Sequence, residues 1–198
     1  MKLRTFLLSF VVLLAIMPFA IAQGPAYPYS VSLSFTASTG TVTGYNMYRS
    51  TYTTACGTFS KINATPFTVT NYTDSNPAQG FYCYAATAVN GTQESGLSNV
   101  YSNVSIPPPP PTGLGATVAG GQRITFQWAQ STGSGIIKNS LWSSTTHGGP
   151  YTRLWTSVAP ATTATLVMPH GTTYVVVSAY SSSTIDSGSS NEVSAIVP

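Results

Sequence analysis

Ser30-Val31-Ser32-Leu33-Ser34-Phe35 alternates hydroxyl and apolar side chains over its whole length. A period of two puts Val31, Leu33 and Phe35 on one face of an extended strand and the serines on the other, as in a strand half buried in a sheet. Ile124, Phe126 and Trp128 repeat the pattern later in the chain. Tyr45 and Met47 alternate in the next stretch, as do Tyr82, Tyr84, Ala86 and Ala88 further on. Clusters of Gly, Asn, Ser and Thr separate these runs, and beyond the N-terminal segment no stretch sustains an apolar stripe of helical period. Short alternating strands between turn formers predict an all-β sandwich or barrel.

The pattern is written twice. Glu94-Ser95-Gly96-Leu97-Ser98-Asn99 returns as Asp186-Ser187-Gly188-Ser189-Ser190-Asn191, an offset of 92. Gly57-Thr58-Phe59-Ser60-Lys61 matches Gly149-Pro150-Tyr151-Thr152-Arg153 at the same offset. Phe35 corresponds to Trp128 at 93, and Gly80 to Gly171 at 91. Landmarks that keep their spacing this closely mark a duplicated domain. Between the copies lies the run Pro107 to Pro111, which favours an extended, semi-rigid polyproline spacer. The expected organisation is a leader over 1–22, a first domain over 23–106, a linker over 107–111 and a second domain over 112–198.

The leader is read from Lys2 and Arg4, an apolar run from Phe6 to Ile16, Pro18, and Ala20-Ile21-Ala22. A basic start, a short apolar middle and small residues before the cut describe a secretory signal removed ahead of Gln23. The apolar run is short of the roughly 20 residues that cross a bilayer. No cysteine follows the cut to carry a lipid, so the expected product is soluble and either secreted or periplasmic.

Charge excludes whole classes of function. Of 198 residues only 6% are charged, against about 25% in an average soluble domain. The formal charge of +3 includes Lys2 and Arg4, so the chain after the leader carries +1. That is not the basic footprint of a nucleic-acid binder. Four acids (Asp74, Glu94, Asp186, Glu192) and two histidines (His147, His170) are scattered through the sequence. Most hydrolytic and metal-dependent chemistry needs such groups clustered, so neither an enzyme nor a bound cofactor or metal is expected. Cys56 and Cys83 are the only cysteines. An even count in an exported chain favours a disulfide over two free thiols, and the absence of ligand spacing speaks against a metal.

The stretches Ser30 to Ser38 and Gly44-Tyr45-Asn46-Met47-Tyr48-Arg49-Ser50 resemble strands B and C of a bacterial fibronectin type III domain. Tyr72-Thr73-Asp74 resembles the end of strand E, Phe81 to Asn90 strand F, and Glu94 to Asn99 the turn into strand G. In the second copy Pro111-Thr112-Gly113-Leu114 is similar to the opening strand, and Trp128 stands at the core tryptophan position. The resemblance implies two tandem immunoglobulin-like sandwiches with sheets ABE and CC′FG. It implies that Tyr82 ties down the loop before strand F, a place taken by Thr173 in the second copy. It also sets Cys83 on the outer face of its sheet, within reach of Cys56 in the loop leaving strand C. Only about seven residues separate Gln23 from strand B, so strand A of the first domain is truncated or missing and its edge is open to another chain.

Individual residues mostly read as structural. His147 and His170 fall in exposed loops, Asp74 closes a strand and caps a turn, and Glu94 and Asp186 hold equivalent hairpin positions. Gly120-Gly121 precedes a strand, so it is a turn and not a phosphate cradle. Asn-X-Ser/Thr triplets begin at Asn63, Asn71, Asn90 and Asn103 and matter only in a host that glycosylates them. The candidate binding surface is aromatic. Tyr48 and its counterpart Trp142 point outward if Tyr45 and Met47 point inward, and Tyr151 and Trp155 lie in or beside the following loop and strand. Such side chains ordinarily cover a neighbouring strand or an inter-domain contact; otherwise they pack on another protein or stack on sugar rings. The expected function is a secreted, non-catalytic binding, adhesion or spacer module with an extracellular or envelope protein as partner. The second reading is an accessory polysaccharide-binding protein.

Overall fold

The computed structural model describes residues 10–11, 27–157, 161–181 and 185–198. Apart from the backbone of β1 (Phe10–Val11), the leader lies outside the described residues. All regular structure among those residues is strand. The first copy holds β2 (Ser30–Phe35), β3 (Gly44–Thr51), β4 (Ser60–Lys61), β5 (Asn71–Ser75), β6 (Gly80–Asn90), β7 (Gln93–Glu94) and β8 (Tyr101–Ile106). The second holds β9 (Thr112–Gly120), β10 (Arg123–Ala129), β11 (Lys138–Ser144), β12 (Thr152–Thr156), β13 (Thr163–Val167), β14 (Gly171–Tyr180) and β15 (Val193–Val197). Tyr29–Ile106 and Pro107–Pro198 belong to separate compact units.

Each unit is a sandwich of antiparallel sheets. In the second, β13-β10-β9 faces β12-β11-β14-β15. In the first, β1-β2-β5 faces β4-β3-β6, with β7 and β8 sharing the far edge of β6. The alternation read from the sequence decides what is buried. Val31, Leu33 and Phe35 are 4%, 1% and 6% exposed and pack on Tyr45, Met47 and Tyr84, while Ser30 and Ser32 face water. Ile124, Phe126 and Trp128 meet Leu141, Val175 and Val177 in the other core.

The repeated motif has a local reason. Ser95 donates its N–H to the Ala88 carbonyl, and its Oγ accepts from the Ala88 N–H, each at 2.9 Å. Ser98 does the same for Ala86. In the second unit Ser187 brackets Ala179 and Ser190 brackets Val177 in the same way. Each hydroxyl then donates to the carbonyl of the following residue. Serine side chains thus complete the hydrogen bonding of β6 and β14 where the neighbouring strand departs from regular pairing, which a buried backbone requires.

Several expectations are met in detail. Tyr82 donates its hydroxyl to the Ala78 carbonyl at 3.1 Å and so anchors the loop before β6. Gly120 and Gly121, at φ +82° and +57°, turn β9 into β10, a conformation that costs glycine little. Cys56 and Cys83 are joined, with Cys83 fully buried opposite Ser50 beneath the loop that leaves β3. The proline run makes contacts of its own. Pro108 and Pro111 are buried, and the Pro109 carbonyl accepts from the Ser131 hydroxyl at 2.6 Å. A run that can donate no backbone N–H still offers carbonyls, and here one holds it to the second unit.

Candidate binding face

The outer face of the larger sheet carries the same kinds of group in both units. In the first, Tyr48 on β3 donates to Glu94 Oε1 at 2.8 Å. Asn46 Nδ2 reaches that oxygen at 2.9 Å, and the Thr87 hydroxyl donates to it as well. Lys61 on β4 lies opposite Tyr48 in the register. Burial alone would raise the Glu94 carboxyl, but Asn46, Thr87, Tyr48 and the Lys61 charge hold it below its ordinary range. The same contact, added to burial, pushes the Tyr48 phenol up, so it stays a donor.

In the second unit Trp142 takes the place of Tyr48, Arg153 of Lys61 and Asp186 of Glu94. Trp142 Nε1 donates to Ser178 Oγ at 2.9 Å. The Arg153 guanidinium stands 5.1 Å from the centre of the Trp142 ring, and the Lys138 ammonium 4.6 Å from that of Tyr180. Asp186 lies beside Tyr180 and Ser178; burial pushes its carboxyl up despite those two donors and the nearby Arg153 and Lys138. Burial, reinforced by Asp186, pushes the Tyr180 phenol up to about 12.

The aromatic surface expected from the sequence is largely covered. Trp142 is 7% exposed and Tyr151 4%, and they form a cluster with Val176 and Tyr180. Trp155 packs inward, its ring 6.4 Å from Trp128 in an edge-on contact. Tyr48 and the outer part of Trp155 remain partly accessible. Arg153 explains the difference: its planar cation lies over the indole and replaces any ligand there.

The remaining polar groups are also engaged. Asp74 does not cap a turn: it points between the sheets, where Arg49 Nη1 lies at 2.7 Å and the Tyr84 hydroxyl donates at 2.8 Å. Arg49 was not singled out by sequence, although its parity with Tyr45 and Met47 on β3 aims it inward. Glu192 accepts from Tyr151, from the Gly148 N–H at 2.9 Å, and lies 3.2 Å from exposed His147. Those contacts, against the effect of burial, hold its carboxyl low. His170 contacts Gln122 and the Pro198 carbonyl beside a cleft of about 240 Å³ that no acid lines. Among the described residues no three His, Cys, Asp or Glu side chains converge as a metal site would need. Of the four asparagine triplets, Asn63 is built into the fold, accepting from the Met47 N–H and donating to Asn46 Oδ1.

No protein-family model matches the chain, and no curated protein matches it. Solved structures do. A two-domain fibronectin type III segment of chicken tenascin is 14% identical, with a TM-score of 0.52 over 88% of this chain and 95% of that one. The chicken interferon gamma receptor alpha chain is 15% identical, with a TM-score of 0.47 over 85% of this chain and 92% of that one. The chicken CNTN1 FN1-FN3 domains are 15% identical, with a TM-score of 0.40; the match covers 84% of this chain and 62% of the length of that segment. The tenascin match shows the fold: two tandem fibronectin type III-like sandwiches. At this identity the likeness carries no function with it.

Proposed function

We propose that the protein is an exported, non-catalytic binding or adhesion module. The supporting observation is that all four acids are held by donors within their own unit: Asp74 by Arg49 and Tyr84, Glu94 by Asn46, Tyr48 and Thr87, Asp186 by Tyr180 and Ser178, and Glu192 by Tyr151 and Gly148. A carboxyl group held by donors of its own fold, or shut away from solvent as Asp186 Oδ1 is, is poorly placed to move a proton for a substrate. The Cys56–Cys83 disulfide suits an oxidising compartment outside the cytosol. A rigid sandwich with a nearly uncharged surface serves as a contact surface or spacer for an envelope or extracellular protein.

The polysaccharide reading narrows to Tyr48, because Trp142 has no free ring face. Incubating the exported chain with envelope protein fractions and with insoluble polysaccharides separates the two readings. Retention by protein fractions, unchanged in Trp142→Ala, is the expected result. Retention by a polysaccharide that disappears in Tyr48→Ala supports the second reading, and retention by neither leaves a passive spacer.

A further inference from the structure

The two units differ at one sheet edge. In the second, β10 is paired on both sides, by β13 and by β9, the latter register running from Arg123↔Gly120 to Ala129↔Thr112. Strand β9 also sends Leu114 into the core, where it is 4% exposed. In the first unit β2 pairs with β5 from Ser30 to Ser34. On its other side, among the described residues, it meets only Phe10–Val11, opposite Phe35 and Ser34.

Those two residues belong to the leader that the export reading removes, and the inference rests on that removal. What is left ahead of Tyr29 is Gln23 to Pro28. Six residues do not provide both a turn and a strand matching the length of β9, and Pro25 and Pro28 have no N–H to give a ladder. The chain therefore cannot refill its own edge.

Nor is that edge guarded. Exposed edges are normally protected by a lysine, an inward charge or a bulge. From Gln23 to Tyr48 there is no Asp, Glu, Lys, Arg or His, and the β2–β5 register is free of shifts.

We propose that in the exported protein β2 pairs antiparallel with β2 of a second copy, giving one continuous sheet in the order β5-β2-β2-β5 across a two-fold axis. The sequence of β2 suits itself. Antiparallel pairing centred on Leu33 sets Val31 against Phe35 and Ser32 against Ser34, so apolar side chains meet on the inner face and hydroxyls on the outer. With no charged residue near, the contact carries no like-charge penalty. Strand addition at an open edge is a recurrent mode of association.

Sedimentation analysis of the exported chain, its first residue read by intact mass, tests this. The weight-average mass should climb with concentration from one chain toward two. Two variants should remain monomeric: Ser32→Lys, which places a charge on the outer face of the edge, and a chain with an added copy of the Thr112–Gly120 sequence joined by a glycine-rich turn ahead of Tyr29, which fills the slot from within. Circular dichroism and an intact disulfide show that both fold. A chain cut before Gln23 that stays monomeric at its solubility limit overturns the proposal, as does a dimer that both variants leave unchanged. Retention of the leader would instead refute the export reading, and would overturn the proposal with it because the edge would keep Phe10–Val11.

Discussion

Arg49 and Asp74 form an ion pair that bridges the two sheets of the first unit, with Nη1 and Oδ2 separated by 2.7 Å. Burial disfavours the guanidinium charge, yet the Asp74 carboxylate outweighs this and raises the Arg49 pKa. The phenol of Tyr84, itself fully buried, completes the group. In the second unit the same register positions hold Ser143, Leu166 and Val175. One copy therefore closes this end of its sandwich with charge and the other with apolar packing.

Asp74→Ala should cost about 2 to 3 kcal/mol, somewhat less than stranding a fully buried charge does, because Arg49 keeps part of its side chain in water. Arg49→Ser made alone should cost a similar amount, while the pair Arg49→Ser with Asp74→Ala should cost less than the two singles added together. A coupling of about 1 to 3 kcal/mol in a double-mutant cycle measured by urea unfolding is the expected result. Additive effects would mean that the pair contributes nothing beyond its separate packing.

What could be read from the residues follows what a period of two can encode. The alternation in β2 and β10 placed the core correctly, and the offset near 92 exposed the duplication. The orientation of Trp155 was hidden by a shift in register: Leu141 pairs with Trp155 but Trp142 with Arg153, so the extra residue Leu154 reverses the face. Asp74 resembled a turn residue because its partner lies 25 positions away, on another sheet. The burial of Trp142 depends on Arg153, whose approach over the ring is a tertiary fact that neither strand announces.

The disulfide joins residues 27 positions apart. The chain-entropy treatment gives about 3.5 kcal/mol for a loop of that size. Replacing both cysteines by alanine should lower the first unit's stability by about 3 to 4 kcal/mol and leave the second unit's transition in place. Differential scanning calorimetry would then show the first unit's transition at a lower temperature than in the parent and the second unit's unmoved. A single unshifted transition would mean that the bridge does not constrain the unfolded chain.

Acid should weaken both units through Glu94 and Glu192. Each carboxyl has a lowered pKa in the fold, so the unfolded chain binds more protons as acid is added. The stabilisation is present above the pH at which a free glutamate titrates, about 4.3, and is lost as the pH falls through the lower folded value. Urea midpoints measured from about pH 6 down to pH 3 should therefore decline, and Glu94→Gln with Glu192→Gln should flatten that slope. A slope equal to the parent's would show that these hydrogen bonds do not discriminate between protonation states.

Asp186 sits where Glu94 does and should behave in the opposite way. Burial raises its carboxyl, and Oδ1 is enclosed without a partner. The folded state thus binds its proton more readily than the unfolded chain, and stability falls as the pH rises from the free aspartate range, about 3.9, through the higher folded value. Asp186→Asn keeps an oxygen for Tyr180 and removes the charge, so its stability relative to the parent should rise across that interval, whereas Glu94→Gln should lose stability over the corresponding one. The Tyr180 phenol supplies an independent reading. Part of its rise to about 12 comes from Asp186, so in Asp186→Asn an alkaline ultraviolet titration should find it ionising at lower pH. An unmoved phenol would mean that Asp186 and Tyr180 are not in contact, and that the equivalence of the two carboxylate positions is one of sequence alone.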